Sequence, residues 1–453
     1  KTMATFDKKA PGVYVEEISK LPPSVASVAT AIPGFVGYTE RGTKNTAIRV
    51  ESLIDFEEKF GYACKIAISD EDKINGLEYK LHESMRLFYA NGGGICYVVS
   101  VGNYKDAISN TALETGISML EPIDEVTMIV VPDAVSLEIK DLASVQNAAL
   151  AQCLELKDRV AILDVKDTGN CNTDATNFRN SIGTKGASYG AAYYPYIKSV
   201  YDREINVYDI YKGLELSNQE LENAQYYAEL SEPTEESTLF AKQLMSKPEY
   251  AKLVAKIQEQ ANLLPPSGAI AGIYCANDNQ RGVWHAPANM SVSGISDINV
   301  RISDKQQGEL NENTSGKCIN AIRAFQGKGI LVWGARTLDG LSSEWKYISV
   351  RRFFNYVEES IQESTAWAVF QPNDANTWVK VRCQIENFLS NLWRDGALAG
   401  STPQEAFYVR VGINQTMTAQ DILNGYMIVE IGMAAVRPAE FIVLQFSHKL
   451  QES

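Results

Sequence analysis

Residues 126–165 read VTMIVVPDAVSLEIKDLASVQNAALAQCLELKDRVAILDV, and their pattern decides the fold class. The runs 126–131 and 160–165 are apolar, rich in Val and Ile, and of strand length. Between them Leu142, Val145, Ala149, Cys153 and Leu156 recur at helical spacing. Strand, helix, strand in this order predicts a βαβ crossover, and with it a mixed α/β domain.

The reading extends in both directions. Upstream, Leu77, Leu81, Met85 and Phe88 mark a helix that stops at 91–94 (NGGG), before the strand ICYVVSV (95–101). AIPGFVGYTERG (31–42) reads as an earlier strand entering a turn, and ASYGAAYYPYI (187–197) as the strand after the crossover. From 201 to 264 the chain turns polar and acidic. Ser217 with Glu220 and Ser246 with Glu249 match capping boxes, and Tyr250, Leu253, Val254, Ile257, Ala261 and Leu264 form one apolar stripe. Pro265 and Pro266 close this helical lobe, and small-residue strand and turn segments are expected through GILVWGART (329–337).

The last hundred or so residues read as a separate unit. A strand WKYISV (345–350) is followed by a helix from Arg352 with Phe354, Val357 and Ile361 on one face. A second helix, from about residue 376, places Trp378, Val381, Ile385, Phe388, Leu389 and Leu392 on one side. Strand-like runs follow at 407–411, 426–436 and 440–446. At the other end residues 11–18 alternate as a short strand, and Pro22 and Pro23 end it. It is a strand on a tether.

Composition narrows the function. With 453 residues the chain exceeds one compact core, so two or three domains are expected. A net charge of −14 with no basic stripe makes nucleic acid a poor partner. No apolar run reaches the roughly 18 residues of a bilayer span, and the opening KTMATFDKKAPG lacks the apolar core of a signal peptide, so synthesis and assembly in the cytoplasm without membrane insertion are expected. Cys64, Cys96, Cys153, Cys171, Cys275, Cys318 and Cys383 never pair as CxxC, and His82, His285 and His448 lie near no other His or Cys in a metal spacing. No metal or cofactor is expected.

The chemical motifs are weak. NGGG precedes a strand, whereas a phosphate loop follows one and opens a helix. The fragment 315–318 (SGKC) has the Gly-Lys of a nucleotide loop but puts Cys318 where a hydroxyl would ligate magnesium. Asp133 and Asp164 are the exception, because both fall at the carboxyl ends of expected parallel strands, where α/β enzymes place ligand-binding groups. A metal-dependent enzyme built on this pair is one alternative; turn capping by the same carboxylates is the plainer one. The turn-rich 278–287 (DNQRGVWHAP), with Trp333 and Arg336, either lines a pocket or pins turns.

Ten segments, in order, resemble motifs of the contractile tail sheath family. They are APGVYVEEI (10–18), AIPGFVGYTERG (31–42), NGGGICYVVSV (91–101), PPSGAIAGIY (265–274), RGVWHAPAN (281–289), GILVWGARTLDG (329–340), WKYISVRRFFNYVEESI (345–361), FQPNDANTWVKV (370–381), LWRDGALAG (392–400) and YMIVEIGMAAVRPAEFIVLQF (426–446). The uninterrupted chain looks more like phage-tail and extracellular injection-system sheaths than the two-protein sheath of type VI secretion. The resemblance implies a structural subunit, not an enzyme, that stacks as hexameric rings around an inner tube and contracts to drive it through an envelope. It implies an α/β fold with an inner polymerising domain built from both termini (1–28 and 345–453). The outer mixed α/β domain would take 29–200 and 265–344, with 201–264 as its insertion. Implied partners are further copies of the chain, the inner tube protein, baseplate and terminal cap proteins, and sheath paralogues, in a particle released from the cell. A baseplate or cap relative forming a single ring is the other alternative.

A physical route to polymerisation is visible in the termini. A tethered strand completes a neighbour's sheet by presenting a row of backbone donors and acceptors to an open edge. Val13, Tyr14, Val15, Glu16, Glu17 and Ile18 are expected to form one such arm, and Glu440, Phe441, Ile442, Val443, Leu444, Gln445 and Phe446 the other. Lys380, Gln384, Asn387, Asn391 and Arg394, on the polar face of the second C-terminal helix, are expected to touch the inner tube.

Overall fold

In the computed structural model, which describes residues 25–69, 73–230, 232–312 and 314–441, the crossover is in place: strands Met128–Val130 and Val160–Asp164 run parallel, joined through the helix Ile139–Leu156. They sit within a nine-stranded sheet. Its strands, in chain order, are β1 (Pro33–Thr39), β2 (Ala47–Val50), β3 (Cys96–Asn103), β4 (Met128–Val130), β5 (Val160–Asp164), β6 (Gly190–Tyr194), β7 (Met290–Ser291), β8 (Ile319–Phe325) and β9 (Gly329–Val332). Across the sheet they lie in the order β7, β9, β8, β6, β5, β4, β1, β3, β2. The central pairs from β3 to β8 are parallel, and antiparallel strands close both edges.

Alternation along the strands feeds two cores. Val36, Val99, Ile129 and Ala161 face the helices Asn110–Ser118, Ile139–Leu156 and Cys171–Ser181. Phe35, Val98, Met128, Val130 and Ile162 face the helices Leu81–Ala90 and Ser267–Arg281. A parallel sheet covered on both faces needs apolar side chains on both, which is why its strands lack a polar side.

The small-residue segment after Pro266 is a correction. It was expected to be strand and turn, and it is the helix Ser267–Arg281. Its glycines serve close packing. A Cβ on Gly268 would lie 2.5 Å from the Ser84 carbonyl oxygen, and one on Gly272 would lie 2.4 Å from that of Phe88, so only glycine lets this backbone meet the Leu81–Ala90 helix. The expected strand 345–350 is corrected as well. Only Tyr347 bridges to Arg336, and the helix Ile348–Thr365 begins where Ile348 enters the core.

The 201–264 segment is helical as expected, with helices Asn218–Ala228, Glu235–Met245 and Pro248–Ala261. The Ser217–Glu220 capping box forms. The Ser246–Glu249 box does not, because Ser246 ends one helix and Pro248 takes the first position of the next. Thr234 and Ser237 make a capping box instead. Ile257 and Ala261 from the apolar stripe pack with Ile66 and Ile68. The buried Arg203 at the base of the segment donates to the Tyr79 carbonyl at 2.8 Å and pairs with buried Glu83.

The chain divides into two compact units. The larger, in its described residues, comprises Ser27–Ser360, Gly396–Ala399 and 435–441 and holds the nine-stranded sheet. The smaller, in its described residues, comprises 25–26, Ile361–Asp395 and Gly400–Ala434. In the smaller unit the helix Ala375–Arg394 is capped by Asp374, whose carboxylate accepts from Thr377 N at 3.0 Å. The helix, with Val381, Ile385, Leu389 and Leu392 buried, packs against the strand Phe407–Val411, which pairs antiparallel with Val429–Met433. Among the described residues no helix is long and apolar enough to cross a membrane.

Candidate functional site

β1 lies between β3 and β4, so the chain winds away from it in both directions, and this is where doubly wound sheets open a ligand crevice. Asp133 stands at that point, in the turn Pro132–Ser136 just past β4. It is fully buried, and its oxygens are taken: Oδ2 accepts from Tyr38 N at 2.7 Å, and Oδ1 accepts from Lys80 N at 2.5 Å and Leu81 N at 2.9 Å. The crevice is filled by the N-terminus of the Leu81–Ala90 helix, and the carboxylate satisfies amides that have no partner within that helix.

Asp164, the last residue of β5, does the same for the other helix on that face. Its Oδ1 accepts from Ser267 N at 2.9 Å, at the first turn of Ser267–Arg281. The cavity bordered by Ile162, Gln146 and Asp164 holds only about 10 Å³, room for about one water. The two carboxylates are helix caps reaching across the fold. Lys317 of the SGKC fragment is equally committed, donating to the Arg179 carbonyl at 2.6 Å.

Burial raises both carboxyls, Asp133 to about 7 and Asp164 to about 7. A raised carboxyl means that the folded chain keeps a proton the unfolded chain has released. The resulting stability is complete below the ordinary carboxyl pKa of 3.8 and is lost as the pH rises through about 7. Asp164→Asn keeps an acceptor for Ser267 N without the charge. It is expected to raise the thermal midpoint relative to the unsubstituted chain at pH 8 and to give a distinctly smaller gain at pH 5, where only part of the proton-linked stability has been lost. An equal effect at both pH values, by differential scanning calorimetry, would show that the charge is not what matters.

The expected exchange arms fall mostly beyond the geometry. Residues 13–18 and 442–446 lie outside the described residues. Glu440 is described, and its side chain is engaged within the chain: Arg336 Nε donates to its Oε1 at 2.8 Å, Arg336 Nη2 to its Oε2 at 2.6 Å, and Tyr347 Oη to Oε2 at 3.1 Å. These bonds hold Glu440 on its own chain, and Arg336 holds its carboxyl below the usual glutamate range against the effect of burial. Phe441 comes next, exposed and outside any strand. Sequence reading left Arg336 as either lining a pocket or pinning a turn, because its acid lies 104 positions away.

At the other end Ala26 N donates to Ser364 Oγ at 3.0 Å. Val28 N donates to Ser360 Oγ at 3.3 Å, and Arg352 Nη2 donates to the Thr30 carbonyl at 2.9 Å.

On the Ala375–Arg394 helix, Lys380, Asn387, Asn391 and Arg394 are exposed. Gln384 is not, which corrects its place in the polar face. Its Oε1 accepts from Trp367 Nε1 at 2.8 Å, and its Nε2 donates to the Ser364 carbonyl at 3.0 Å. Between Val381, Ile385 and Phe388 it shares their buried side, and paired bonds offset the desolvation of its amide.

Comparison with known proteins points in one direction. The family described as phage tail sheath protein central domain matches residues 106–338, and the phage tail sheath C-terminal domain matches residues 342–449. The sheath of the extracellular contractile injection system PVC, solved in its contracted state, is 32% identical, with a TM-score of 0.68 over 98% of this chain and 99% of that one. A chain of the anti-feeding prophage (AFP) baseplate is 30% identical, with a TM-score of 0.65 over 97% of this chain and 99% of that one. The tail sheath protein of Vibrio phage KVP40 is 23% identical over 192 residues, 42% of this chain. That match spans only 27% of the phage protein's length.

Proposed function

The chain belongs to the phage tail sheath family, whose members are structural proteins and not enzymes, and from that premise we propose that it is the subunit of a contractile sheath. Copies would stack as hexameric rings around an inner tube and shorten to drive the tube through a target envelope. The observation that carries this reading is the end-to-end likeness to the PVC sheath, which includes both the sheet and the C-terminal region. The filled crevice at the strand ends supports it, since Asp133 and Asp164 serve packing and leave no room for a substrate.

Partners would be further copies, the inner tube protein, and baseplate and cap proteins, in a particle assembled in the cytoplasm and then released. Residues 13–18 and the segment after Glu440 would complete a neighbour's sheet, and Lys380, Asn387, Asn391 and Arg394 would face the tube. No nucleotide is needed, because two stable packings of the same subunits can store the energy of contraction.

Negative-stain microscopy of the purified chain tests the reading. Long tubes with a serrated edge are the expected result. Single rings that stop growing would favour a baseplate or cap role, and dispersed monomers at all concentrations would count against any sheath.

A further inference from the structure

Resting on the sheath reading, we propose that Glu440 is the root anchor of the C-terminal strand: the chain stays fastened to its own subunit up to this residue, and only the residues beyond Glu440 cross to a neighbouring copy. The guanidinium that holds Glu440 is set in place independently of it. Arg336 N donates to Asn320 Oδ1 at 2.7 Å, and Asn320 Nδ2 returns a bond to the Arg336 carbonyl at 2.8 Å, from a fully buried position on β8. Arg336 Nη1 is further tied to the Asn311 carbonyl at 2.9 Å.

The Arg336 side chain is 2% exposed and that of Glu440 is 20% exposed. Were Glu440 to leave with an exchanged strand, it would strand a buried cation that its bonds to Asn320 and Asn311 keep in place, an outcome heavily penalised in a protein interior. The residues just before it are also fastened. Val436 N donates to the Ala397 carbonyl at 3.3 Å, and Arg437 Nη1 donates to the Ser343 carbonyl at 2.5 Å. Phe441, immediately after the clamp, is 72% exposed. In a sheath that shortens without coming apart, this clamp would keep the root of the linking strand with its own subunit while the far end moves with the neighbour.

The test compares the full chain with Glu440→Gln, which keeps the side-chain shape and loses the charge, and Glu440→Asp, which keeps the charge. Hydrogen exchange of residues 435–441 in the unassembled chain is expected to be faster by about tenfold or more in Glu440→Gln, as a local opening would allow, and intermediate in Glu440→Asp. Sheaths of Glu440→Gln are expected to be short or absent under conditions where the unsubstituted chain makes long ones. Unchanged exchange overturns the anchor, and so does faster exchange with sheaths of normal length. If the unsubstituted chain makes no tubes, the sheath reading fails and the crossing with it, whereas the exchange rates still decide whether the clamp exists within the subunit.

Discussion

A chain lacking residues 1–20 is expected to fold with the thermal midpoint of the full chain and to form no tubes at any concentration. The described fold lies after the cut. The nine-stranded sheet begins at Pro33, and the bonds at Val28 and Thr30 all lie after the cut. Assembly, by contrast, would lose one of its two couplings. A strand of this length docking on an open edge makes about four to six backbone hydrogen bonds at roughly 0.5–1.5 kcal/mol each, several kcal/mol per linkage. Because every subunit would use the same coupling, its loss would be repeated throughout the polymer. Val15→Pro in the full chain refines the test: proline removes one N–H and resists central-strand pairing, so it should impair tubes without touching the folded core. Tubes of normal length from the truncated chain would remove the N-terminal arm from the account.

Where the sequence was readable, the reason was periodicity. β4, the helix Ile139–Leu156 and β5 were legible because each carries one strong period in an uninterrupted run. The Ser267–Arg281 helix was misread because its pattern is set by backbone approach. Gly268 and Gly272 are there to let a neighbouring helix come close, and residues chosen for smallness carry little amphipathic signal. Gln384 was misplaced for a related reason: polarity marked it as exposed, and only the Trp367 and Ser364 partners show how a buried amide is satisfied. Asp133 and Asp164 were found from sequence as unusual carboxylates at strand ends, but their role as caps on helices 52 and 103 positions away is tertiary information. The Arg336–Glu440 clamp was hidden in the same way, by sequence distance.

The largest loss of stability from a single substitution is expected at Asp278→Ala. Asp278 and Arg352 form a two-pronged pair, Nη1 to Oδ1 at 3.0 Å and Nη2 to Oδ2 at 2.6 Å, with side chains 2% and 3% exposed. The guanidinium lies 4.6 Å from the centre of the Tyr274 ring, and its Nη2 also reaches the Thr30 carbonyl. Arg352 thus joins the Ser267–Arg281 helix to the chain entering from the N-terminal side. Removing the acid leaves the cation buried without a counter-charge, which costs about 3–5 kcal/mol. A pair of this kind adds little stability over an apolar pair of the same shape, so the paired replacement Asp278→Leu with Arg352→Met should recover most of the loss. Denaturant midpoints of the single and paired variants separate the two contributions. A loss under about 1 kcal/mol for Asp278→Ala would match a solvated surface pair and contradict this burial. If the paired variant regains stability but makes shorter tubes, the bond from Arg352 to Thr30 is what holds the N-terminal segment in position for assembly.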